Sequence, residues 1–100
     1  MTDVYLLHFS RPYHHAQHYL GFTEQGVDAR LAVHRAGRGS PLVAAAIAAG
    51  IEVTVARTWP GASRKDKRYL HDLKAGRRLC PICTPQEALL RARFLGRNPP

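Results

Sequence analysis

Tyr19-Leu20-Gly21-Phe22-Thr23 is the stretch that decides the fold. Tyr19, Gly21 and Thr23 fall on one face of an extended segment and Leu20 and Phe22 on the other, which predicts a strand over residues 18–23. Upstream, residues 4–9 (Val4-Tyr5-Leu6-Leu7-His8-Phe9) are apolar and rich in strand formers, and Ser10-Arg11-Pro12 is expected to end that run. A hairpin pairing the two segments across a histidine-rich connection is the simplest topology.

Downstream, residues 25–36 carry Val27 and Leu31 four apart on an apolar stripe, with Gly37 as the stop, and read as a helix. Arg30 and His34 are also four apart, so they share a face. Ser40-Pro41 has the residue types of a helix start, a hydroxyl cap followed by proline at the first helical position, and Gly50 closes that helix. Residues 42–49 are apolar on every side, which predicts a helix packed against the sheet. Residues 51–55 alternate and predict a third strand running through Arg57 toward Trp59-Pro60-Gly61. A basic helix follows over 63–74, and Thr84-Pro85-Gln86-Glu87 has the form of a capping box opening a last helix to residue 94. The expected architecture is α+β, a small three-stranded antiparallel sheet flanked by helices, in a single domain over 1–95 with a tail at 96–100.

Composition narrows the function classes. A chain of 100 residues makes one domain with one site. No apolar run approaches the roughly 20 residues that span a bilayer, and Asp3 stands where a secretory signal carries basic residues; the reading is cytoplasmic, without a membrane partner. Two cysteines without such a signal argue against a disulfide scaffold. The net charge of +8 is unevenly placed. Residues 1–56 hold four basic groups against four acids, whereas residues 57–100 hold eleven against three. A basic half beside a neutral half points to a polyanion, with nucleic acid the commonest partner.

Two tyrosines on paired strands, with an arginine on the next helix, suit phosphodiester chemistry. A phenol, with an ordinary pKa of about 10, accepts a proton only with help from a nearby cation or metal-bound hydroxide. Arg30 supplies a cation and a planar fork for a phosphate, and His34 can relay a proton or orient a water. The chain resembles the GIY-YIG endonucleases at this point, with Val4-Tyr5-Leu6 as the first motif, Tyr19-Leu20-Gly21 as the second, and Arg30 and His34 on the following helix. Thr58-Trp59-Pro60-Gly61 and Arg78-Leu79-Cys80-Pro81-Ile82-Cys83 look like a compact bacterial and phage subgroup of that family. The resemblance implies a hydrolase that cleaves DNA phosphodiesters with magnesium or manganese. Tyr5, Tyr19, Arg30 and His34 would be its catalytic residues.

The family also implies a metal-binding glutamate on a later helix. The best register puts Lys67 at that place, and Asp66 is the only carboxylate in the turn, hence the metal candidate. A weakened catalyst that retains nucleic-acid binding is the alternative. Arg64, Lys65, Lys67 and Arg68 are the candidate phosphate contacts, either as a grip that ignores base sequence or as a solvated face. Cys80 and Cys83 form half of a zinc ribbon that would need His71 or a second molecule to close; two small residues packing a turn are the competing reading, and a zinc-stabilised interaction domain a further rival. The cluster His14-His15-Ala16-Gln17-His18 offers imidazoles for zinc or simply a polar loop, with His18 on the face opposite Tyr19.

Overall fold

The computed structural model describes residues 2–74 and 76–83. Strands β1 (Asp3–Tyr13), β2 (Ala16–Thr23) and β3 (Val53–Pro60) form an antiparallel sheet in the order β2-β1-β3, and helices α1 (Val27–Arg35), α2 (Pro41–Ala48), α3 (Arg64–Asp72) and α4 (Gly76–Leu79) cover it. The α+β architecture expected from the sequence is therefore present. The predicted helix over 84–94 and the tail lie outside the described residues.

β1 is the central strand, and its alternation separates two environments. Tyr5, Leu7 and Phe9 are buried with Val43, Ala46, Ile51 and Val53 in the core beneath α1 and α2. Burying each large side chain of this set contributes about 1.5–3 kcal/mol. Leu6 and His8 turn to the opposite face, where Leu20, Leu70 and Leu79 surround a second hollow beneath α3 and α4. The sheet thus lies between two helical layers.

β1 runs past the expected break at Ser10-Arg11-Pro12. Ladder pairing with β2 lapses between His8 and Tyr13, and pairing with β3 ends at Phe9 opposite Val53, so no ladder demands the amide that Pro12 lacks. Ser10 still fastens this end through its backbone N–H to Glu52 O at 2.9 Å. β2 likewise begins at Ala16, so part of the histidine-rich connection is strand. α2 departs from a fully packed helix: Val43 and Ala46 are buried, whereas Pro41 and Ala48 are exposed. Its alanines are small enough to face water at little cost, and Arg11 caps its far end by donating to Ala49 O at 2.9 Å. No helix of the described residues is long and apolar enough to cross a membrane.

Candidate functional site

The site is built outward from Tyr5. Its cross-strand partner is Gly21, and the Tyr5 ring lies where a Cβ on Gly21 would stand. Glycine is required here for close approach rather than for an unusual backbone angle. At the far end of the ring, Tyr5 Oη lies 2.7 Å from His34 Nε2, a buried contact. Gly39 makes room on the other side of His34, where a Cβ would overlap the imidazole. Two glycines therefore flank one tyrosine–histidine pair.

The proton on that pair follows from the helix start that the sequence predicted. Ser40 accepts from Leu42 N–H at 3.2 Å as the α2 cap, and its own backbone N–H donates to His34 Nδ1 at 3.2 Å. Nδ1 must then carry a lone pair, so neutral His34 holds its proton on Nε2 and donates it to Tyr5 Oη. The Tyr5 hydroxyl proton remains available to another acceptor. Burial first, and then the Arg30 charge, push the His34 pKa down. Burial pushes the Tyr5 phenol above its ordinary value, with Arg30 opposing and Tyr19 reinforcing the shift.

The unfolded chain takes up a proton on this histidine near pH 6.5, whereas the folded chain resists it, so the stability His34 contributes is complete above about pH 6.5 and is lost as pH falls through its lower folded value. Imidazole NMR should show His34 titrating below the ordinary histidine range. A midpoint at or above that range would contradict the proton assignment.

Tyr19 completes an aromatic triangle, with ring centroids 6.3 Å from Tyr5 and 5.4 Å from His34. It also opens onto a hollow of about 420 Å³ along the free edge of β2, lined by Tyr19, Thr23, Glu24, Arg30, Arg64 and Lys67 among others. Thr23 sets the turn into α1: it accepts from Gln25 N–H at 3.1 Å and donates to Gly26 O at 3.4 Å. Arg30 Nε is buried without a hydrogen-bond partner among the described residues. A buried guanidinium nitrogen in that condition lacks an acceptor, and its hollow holds two further cations. Arg64 reaches the edge by stacking on Phe22, its Cζ 4.5 Å from the ring centroid.

The basic run divides across α3. Arg64 and Lys67 face the Tyr19 hollow, Arg68 lines an adjoining one with His71 and Asp72, and Lys65 is exposed outside both. Asp66 is not brought to Arg30 and the tyrosines. Its Oδ2 accepts from Ser63 N–H at 2.8 Å and Ser63 Oγ at 3.2 Å, while Asp66 N–H donates back to Ser63 Oγ at 3.2 Å. That closes a capping box and turns the carboxylate toward the hollow lined by Trp59 and Tyr69. Magnesium and manganese need several oxygen ligands, and the Tyr19 hollow offers one carboxylate, Glu24, beside the Lys67 ammonium. With a lysine in the same hollow, these residues give no support to such an ion.

On the opposite face, His8, His18, Cys80 and Cys83 form a cluster able to hold a metal ion, their ligand atoms all within 4.8 Å of one another. His8 and His18 are cross-strand partners, so both imidazoles stand on the same face. α4 and the turn after it bring in the thiols, which are not joined in a disulfide. Burial first, then the neighbouring Cys80, raise the Cys83 thiol, and burial, then the nearby His8 and Arg77 charges, lower His18. His71, the partner expected from the sequence, is exposed beside Asp72 and takes no part; His14 and His15 are exposed at the hairpin turn.

Sequence reasoning missed His8, Glu24 and Gly39. Only strand register brings His8 to the cysteines, and only the packing of His34 explains Gly39. In comparisons with known proteins, no family model, no curated protein and no solved structure matches the chain.

Proposed function

We propose that the chain is a nucleic-acid-binding domain of GIY-YIG type that grips a phosphodiester in the hollow along β2. The partnerless buried Nε of Arg30, set beside Tyr19 with Arg64 and Lys67 around it, is the observation that carries this reading. A phosphate brings the acceptor that Arg30 Nε lacks and negative charge to set against three cations. Arg30 offers its fork, Arg64 and Lys67 balance charge along the backbone, and the Tyr19 hydroxyl supplies a neutral donor. Base-reading side chains are not needed for such a grip, so binding should be strong at low salt and indifferent to sequence. The protein acts in the reducing cytoplasm in this reading, where cysteine thiolates stay available to a metal such as zinc.

Arg30→Ala should weaken binding of a labelled DNA duplex by about tenfold or more and lower the salt slope by about one, as read by fluorescence anisotropy across a salt series. Unchanged affinity and slope would remove the hollow from consideration.

A second reading, the endonuclease, is favoured by one observation: the Tyr5–His34 pair leaves a positioned phenol proton behind the phosphate site. Two others stand against it. A phenol pushed up by burial is a poor base at neutral pH, and Lys67, which the best register sets at the family's glutamate, lines the hollow. Plasmid nicking in magnesium or manganese, with Tyr19→Phe and Arg30→Ala alongside, decides between them. Product from the parent chain that both substitutions suppress establishes cleavage.

A further inference from the structure

We infer that His8, His18, Cys80 and Cys83 are the four ligands of a closed structural Zn²⁺ site on the sheet face opposite the phosphate hollow. The inference rests on side-chain geometry alone and does not depend on what the hollow binds.

Distances argue first. Zinc–sulfur bonds of about 2.3 Å and zinc–nitrogen bonds of about 2.05 Å, at a tetrahedral angle near 109°, set sulfur and nitrogen about 3.6 Å apart. Cys80 Sγ and Cys83 Sγ each lie 3.5 Å from His8 Nδ1, and Cys83 Sγ lies 3.2 Å from His18 Nε2. Three of the six ligand-atom separations thus stand close to those of a tetrahedron around one ion, and all six lie within 4.8 Å.

Hydrogen bonding alone is crowded in this arrangement. Nδ1 of a neutral imidazole has either one proton or one lone pair, yet two sulfurs converge on the Nδ1 of His8. Cys83 Sγ in turn faces two imidazole nitrogens. A central cation satisfies every member at once. Donor type then selects the metal: two thiolates and two imidazoles in tetrahedral array suit zinc, and loss of the two thiol protons leaves a neutral site in a half-buried place.

The ligands also explain why the chain closes here. His8 lies on β1, His18 on β2, and the cysteines follow α4, so one ion joins the start of the chain to residues 80 and 83. α4 is a single turn with no buried residue of its own. An ion supplies the anchor that its apolar contacts do not. It also fixes the chain that leaves α3, the helix whose Arg64 and Lys67 border the hollow.

The test is metal analysis of the full chain purified without chelator, followed by removal and reloading. Mass spectrometry should find one zinc per chain. Cobalt added to the stripped protein should give the thiolate charge-transfer and intense visible bands of a tetrahedral S₂N₂ site. His8→Ala and His18→Ala should each weaken zinc affinity by about 100-fold or more, whereas His71→Ala should not change it. Reloading of the unsubstituted chain reads the site even where a variant fails to fold. A zinc-free protein, an octahedral cobalt spectrum, or equal loading in His18→Ala and the parent chain would each overturn the inference. Arg30→Ala should load zinc normally, which separates failure of this site from failure of the phosphate hollow.

Discussion

Gly21→Ala lowers the melting temperature by about 10–25 °C, a shift that corresponds to roughly 2–4 kcal/mol in a domain of this size. The added methyl meets the Tyr5 ring, which is fully buried and tied at its tip to His34. The ring has no vacant side to move into, because Leu7, Phe9 and the α2 residues Val43 and Ala46 fill the same core. If Tyr5 tilts, the His34 N–H loses its acceptor and stays buried, a penalty of about 1–3 kcal/mol in addition to the overpacking. Gly39→Ala should act similarly from the other side of the imidazole. Thermal melts by circular dichroism, with exposed Lys65→Ala as the reference, measure both. A Gly21→Ala melt within a few degrees of the parent would show that the pair is not held as described.

The sheet and its first helices were legible because short-range signals agree with the tertiary result. Alternation around Gly21 marks the β2 faces, Ser40-Pro41 does cap α2, and the spacing of Arg30 and His34 does place both on the inner side of α1. Where a local device and a distant role compete for one residue, the sequence is ambiguous. Ser63 and Asp66 stand three apart in the pattern of a capping box, and that use claims the carboxylate that otherwise reads as a metal ligand. His8 illustrates the opposite difficulty. Inside an apolar strand it looks like a tolerated polar residue, and nothing within 70 residues of it announces Cys80. Register supplies the link: His8 opposite His18 fixes two imidazoles, and the short helix α4, which carries little periodicity, delivers the thiols.

Lys67→Glu should convert the behaviour of the hollow. Lys67 is half-buried and lines the hollow with Tyr19, Arg30 and Glu24, and the best register of the GIY-YIG resemblance sets it where a carboxylate is implied. Reversing its charge removes one phosphate contact and adds a repulsion, so in chelator at low salt DNA affinity should fall by about tenfold or more. Divalent ions should reverse that loss. The introduced carboxylate and Glu24 would give a hard cation two oxygen ligands, phosphate oxygens and water the rest, and the ion would replace the missing positive charge. Anisotropy with and without magnesium reads the recovery, and a supercoiled plasmid reads any cut strand; manganese-dependent nicking at least tenfold above the parent chain is the expected gain if the tyrosines and Arg30 are still poised for hydrolysis. Lys67→Gln provides the comparison, since it loses the cation without supplying a hard ligand and should respond to neither ion. Equal responses from the two variants would mean that position 67 borders the phosphate site without facing its centre, and the nuclease ancestry implied by the motifs would then find no support in this hollow.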